Sequence, residues 1–158
     1  MGRIYAVPIS GVAISAQQDI FEITAATGRH CQIHQIILTQ SSEVGDAAEE
    51  GLHILLRRGT SGTTGGSGGT TPTPVPRNFN DGAATFVAEI NNTTRMSGGT
   101  ITTEECYAWN VRVPLVIIYP PELRPQIAAG IERKTIELAT TPADAITISG
   151  TILIEEFG

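Results

Sequence analysis

Lysine is almost missing from this chain: of its ten basic residues only Lys134 is a lysine. The arginines are spread from Arg3 to Arg133 with one adjacent pair, Arg57-Arg58, and the net charge is -6 with a pI near 5.0. A nucleic-acid footprint needs clustered positive charge, so no direct nucleic-acid binding is expected. Apolar runs are short as well. None approaches the roughly 20 residues that span a bilayer, so no membrane partner is expected. The beginning, MGRIYAVPISGVAIS, has one charge and no unbroken apolar stretch, which is not the pattern of a signal peptide. Cysteine is limited to Cys31 and Cys106. Without CxxC spacing or paired histidines they give no support to a structural zinc site. Two reduced, buried core thiols are expected rather than a disulfide.

Aromatic residues make up only 5% of the chain, while Ile, Thr and Gly are prominent, a bias toward strands and turns. At 158 residues the length suits a single domain with a proper core, residues 1–158. The clearest pattern is C-terminal. Glu132, Lys134, Ile136 and Leu138 share one alternating register, and Ile146, Ile148, Gly150, Ile152 and Ile154 share another. Residues two apart lie on one face of a strand, so the second run presents a row of isoleucines to a core. Thr141-Pro142-Ala143-Asp144 separates the runs with turn residues, which predicts a pair of antiparallel strands.

Earlier in the chain, Arg3 to Ile9 and Val12 to Ile14 read as strand, with Pro8 suited to an edge or a bulge. Asp19 to Thr24 is a short strand. Cys31 to Thr39 begins with alternation and thickens to Ile36, Ile37 and Leu38, as a strand buried on both sides would. Ser41 to Glu50 is an acidic corner, either an Ω-like loop or one helical turn capped by Ser42 or Asp46. Leu52, Ile54 and Leu56 resume strand alternation. Residues 60–77 form a long Gly/Thr/Pro-rich insertion, a flexible or extended arm. Its first half reads as flexible coil, and the Pro72, Pro74, Pro76 run as a stiff spacer. Asn80 to Ile90 is a strand or a short helix. Thr100 to Asn110 is a strand with Tyr107 and Trp109 on one face and Cys106 on the other, and Arg112 to Tyr119 is a dense β run. Roughly eight to ten short strands without a convincing long helix predict an all-β fold, an antiparallel β-sandwich or jelly roll.

No catalytic constellation emerges. Gly62 to Gly69 lacks the lysine and following helix of a phosphate loop. His30, His34 and His53 are isolated, although His34 and His53 would be near neighbours if their strands paired. There is no nucleophile-elbow pattern. Glu43, Asp46, Glu49 and Glu50 suit a hard cation by residue type but lack the spacing of a calcium loop, so a solvated corner or a surface for a basic partner is expected. Tyr107 and Trp109 suit a carbohydrate-stacking platform, yet a strand-borne aromatic pair is more often core or interface. No catalytic residue, cofactor site or metal site is assigned, and an enzyme is not expected.

RIYAVPISGVAISAQQDIFEI, SSEVGDAAEEGLHILLRRG, GTSGTTGGSGGTTPTPVP with NNTT after it, and ITISGTILIEEFG span nearly the whole chain. Together they resemble a group of small proteins of tailed bacteriophages and their prophages. Small β-proteins of such structural modules are similar to capsid decoration (cement) proteins. That resemblance implies a virion protein made in the host cytoplasm and placed on the capsid surface. It would form a homotrimer and clamp the major capsid protein, with residues 60–76 and Met1 to Val7 as arms. The alternative is a receptor- or glycan-binding head of a tail or head fibre. A host-side jelly-roll binding module is a third reading.

Overall fold

Alternating apolar residues become the two inner faces of a sandwich. A computed structural model describes residues 2–45 and 49–158. Its strands are β1 (Arg3–Ile14), β2 (Gln18–Thr24), β3 (Cys31–Gln40), β4 (Gly51–Gly59), β5 (Val75–Pro76), β6 (Val87–Asn92), β7 (Ile101–Asn110), β8 (Leu115–Ile118), β9 (Gln126–Ile127), β10 (Arg133–Leu138) and β11 (Ile146–Glu156). The first sheet has the order β5-β1-β11-β3-β8, with β9 also on β3, and the second has the order β6-β2-β10-β4-β7.

Without the short outer strands β5 and β6, the sheets read β1-β11-β3-β8 and β2-β10-β4-β7. β1 pairs with β11, β2 with β10, β3 with β8 and β4 with β7, all antiparallel. This is one long nested hairpin rolled so that its successive strand pairs lie alternately in the two sheets, which is a jelly roll. The expected all-β sandwich is therefore what the chain forms.

The expected C-terminal hairpin is corrected. β10 is the centre of the second sheet and β11 the centre of the first, and they do not pair. Ala139 to Ala145 bridges the sheets instead of closing a tight turn. The β11 register is as expected: Ile146, Ile148, Ile152 and Ile154 are fully buried. They meet Leu52, Ile54 and Leu56 of β4, Ile136 and Leu138 of β10, and Trp109 of β7 in one core. β3 departs from the expected two-sided burial. Ile33 pairs with Ile154 and Gln35 with Leu153, so His34 is bulged out. The bulge turns both Ile33 and Ile36 inward and leaves Ile37 half-buried on the outer face. Pro8 lies beside a second bulge, between Ile9 and Val12. The proposed N-terminal arm is also corrected from Arg3 onward, because Tyr5 and Val7 are core residues of β1.

The second sheet is buried on both faces along β2 and β10. Its outer face carries Asp19 and Glu22 of β2 and Thr135 and Glu137 of β10, each at most 2% exposed. Residues 60–100 cover them. This segment leaves β4 and returns to β7 at the Gly59–Ile101 pair, and bridges at Thr64–Ser97, Ser67–Thr94 and Thr70–Ile90 fold it into an irregular hairpin. The Gly66 N–H donates to Glu22 Oε2 (2.7 Å) and the Met96 N–H to Asp19 Oδ2 (2.7 Å). Arg133 pairs with Glu22 at 2.9 Å, while Arg57 and Arg95 both reach Glu137. The glycines of this stretch serve close approach. A Cβ on Gly65 would lie 2.2 Å from Arg133 Nη1, and one on Gly69 would lie 2.1 Å from the Ile90 carbonyl oxygen. The segment read from composition as coil and spacer is thus strapped to the sheet and ends as β5 against β1.

Candidate functional site

The strap covers β2 and β10 of the second sheet and leaves His53, Cys106 and Ala108 exposed on the β4–β7 side, while the outer face of the first sheet is uncovered from β1 to β8. Direct cross-strand partners share a face, so the register defines rows. One row is Val75, Ala6, Leu153, Gln35 and Ile118. The next is Pro8, Thr151, Ile37 and Val116. Neither row contains a charge. Val75 and Val116 are each 53% exposed and Ile118 is 69% exposed, unusual for β-branched residues on a sheet. Charge reappears beyond the rows. Glu155 accepts hydrogen bonds from the Gly2 N–H (2.8 Å) and faces His34 Nε2 (2.6 Å), with Arg124 at 3.6 Å.

The residues singled out from sequence are dispersed. His34 and His53 are not neighbours, because β3 and β4 lie in different sheets. His53 is exposed, and His30 stacks on Phe157 with ring centroids 4.6 Å apart. Trp109 is buried with its Nε1–H donated to the Val113 carbonyl (2.8 Å), so Tyr107 and Trp109 form no exposed stacking platform. Both cysteines are free. Cys31 is buried, its thiol pushed up to about 12 by burial and by Glu156, whereas Cys106 is exposed, contrary to expectation. The alternation that places Glu105, Tyr107 and Trp109 inward turns Cys106 out.

In the acidic corner, carboxylate oxygens of Glu43, Glu50 and Asp144 lie within 4.8 Å of one another. Asp144 belongs to the β10–β11 connection and was not part of the sequence group. These carboxylates hold loops together: Ser42 Oγ–H donates to Glu43 (2.6 Å) and the Ala143 N–H to Glu50 (2.5 Å). Glu49 lies apart, 3.9 Å from Arg112. Asp46 lies outside the described residues, and no helical turn forms over Ser41 to Gly45.

One site was missed by sequence reasoning. A cleft of about 580 Å³ opens between the sheets where the edge strand β7 faces β9. Lys134, only 2% exposed, forms its floor and donates to Glu104. Arg58 Nη1 lies 3.4 Å from Glu104, and Arg58 Nε lies 4.0 Å from Glu132. Glu132 in turn accepts the Ala128 N–H (2.9 Å). Glu105, also on the cleft wall, accepts hydrogen bonds from the hydroxyls of Tyr107 and Tyr119, each at 2.5 Å. Burial and that carboxylate push the Tyr107 phenol up to about 12 and raise Tyr119 further. The signal was available: Lys134 sits in the same alternating row as Ile136 and Leu138. A lysine there has to reach an acid.

No protein-family model matches the chain, and no curated protein or solved structure matches it. Among the described residues no helix is long and apolar enough to cross a membrane.

Proposed function

We propose that this chain is a non-enzymatic structural protein of a tailed-phage virion, a capsid decoration protein that forms a homotrimer on the head and stabilises the shell through the major capsid protein. The observation that carries the reading is the pair of uncharged rows on the uncovered outer face of the first sheet. Exposed contiguous apolar surface of this kind marks an interaction site. Chains that each carry a net charge of -6 repel at a distance, so a face free of charge is where copies meet at least cost. A face packed on its own copy gives a twofold dimer, whereas a trimer sets it against a different patch. The open backbone edge of β8, which ends the first sheet, provides that second patch. Jelly rolls build viral capsid domains, and also lectins and cupins, so the virion assignment itself rests on analogy of fold together with the sequence resemblance.

The test is the mass in solution of wild type and Ile118→Lys, followed by co-sedimentation with assembled shells. A wild-type trimer that saturates shells at fixed stoichiometry, and a variant that is monomeric yet still unfolds in one cooperative transition, support the reading. A wild-type monomer that ignores shells refutes it. The alternative, a receptor- or glycan-binding fibre head, draws its support from the cleft beside β7.

A further inference from the structure

We infer that the cleft between β7 and residues 121–128 binds a neutral polyhydroxylated ligand, a sugar unit of a glycan. Four side chains carry the inference, and they alternate in charge in the order Lys134, Glu104, Arg58, Glu132. The Lys134 ammonium has three donors. Its one hydrogen-bond partner among the described residues is Glu104. An ammonium withdrawn from water with donors to spare favours an acceptor oxygen from a ligand.

The alternation decides the charge of that ligand. An anion entering the cleft meets Glu104, Glu132 and Glu105 as well as Arg58 and Lys134, and a cation meets the reverse. The Glu105 carboxylate is already occupied by the Tyr107 and Tyr119 hydroxyls, so two acids face two bases and neither kind of ion gains a net partner. A hydroxyl is donor and acceptor at once, so it bridges one cationic and one anionic member of the series. Hydrogen bonds to ionised groups are the strongest open to an uncharged ligand. Leu123, 68% exposed, and Pro125 supply an apolar wall for the C–H face of a ring. The volume of about 580 Å³ lies within the range of about 300–1,000 Å³ typical of small-molecule sites. Single-site affinity at such a sheet edge is expected to be weak, and an oligomer would multiply it. This inference stands independently of shell binding.

The experiment is a titration of the ¹⁵N-labelled full chain, followed by amide shifts. The probes are neutral sugars (glucose, galactose, mannose, N-acetylglucosamine), with galacturonate and inorganic phosphate as anions. Saturable shifts at Thr102 to Glu105 and Gln126 to Ala128 with a neutral sugar, and none with the anions, are expected. Glu132→Gln keeps an oxygen for the Ala128 N–H but removes the charge, and should weaken binding about tenfold or more, the loss of one charge-assisted hydrogen bond. No saturable shift at those amides up to about 100 mM sugar, far beyond the millimolar range of weak contacts, would overturn the inference. Phosphate binding as tightly as any sugar would also overturn it. The wild-type titration decides the matter even where the variant folds poorly.

Discussion

Replacing Asp19 by asparagine is expected to stabilise the protein at neutral and alkaline pH and to do little near pH 4. Asp19 is fully buried between the second sheet and the strap. Its Oδ2 accepts the Met96 N–H, but Oδ1 has no hydrogen-bond partner among the described residues. Burial is the main cause that lifts its carboxyl from 3.8 to about 7; the Met96 N–H opposes the shift, Glu137 and Glu22 add to it, and Arg57 opposes it. Between those two values the native chain holds a proton that the unfolded chain has released. The contribution of Asp19 to stability therefore falls as pH rises from about 4 to about 7, the reverse of an ordinary salt-bridged carboxylate. At about 1.4 kcal/mol per unit of pKa, full ionisation of Asp19 in the fold costs about 4 kcal/mol at most. Asparagine keeps an oxygen for Met96 and carries no charge, so a gain of about 2–4 kcal/mol at pH 8 is expected. Urea denaturation of both proteins from pH 4 to pH 8, followed by the fluorescence of the single tryptophan, measures the difference directly. Two parallel stability curves, or a variant weakened equally at every pH, would show that Asp19 is ionised in the fold and would refute the reasoning.

Glu156 ties the two ends of the chain to the strap. It is 1% exposed and accepts from Arg3, from the Thr85 N–H and hydroxyl, and from the Phe86 N–H. Glu156→Ala leaves those donors unpaired and should cost about 3–5 kcal/mol, read as a lower urea midpoint with an unchanged slope. Gly69→Ala forces its new methyl against the Ile90 carbonyl oxygen and should lift the strap locally. Faster hydrogen exchange at Gly66 and Met96 than at β11 amides is the expected signature, and uniform exchange across both regions would contradict it.

The all-β class, most of the strands and the inward register of β11 and β4 were legible in the sequence. Alternation is a local property: whether Ile148 or Thr147 faces a core depends only on a period of two. Which strand each one pairs with is not local. The run at β10 and the run at β11 look like a hairpin, yet nested pairing with β2 and β4 on one side, and with β1 and β3 on the other, places them in opposite sheets. His34 and His53 were separated by the same fact. Composition reads the glycines near Gly65 as freedom. In the fold they mark backbone lying too close to Arg133 and Ile90 for any side chain. The sequence by itself therefore determined the fold class and most of the buried residues, because these follow from periodicity and composition. Only the tertiary structure decided the partners: the strap over Asp19, the bare face around Ile118 and the cleft over Lys134. Each of these joins residues far apart in the chain, and no local pattern records which distant surface a side chain will meet.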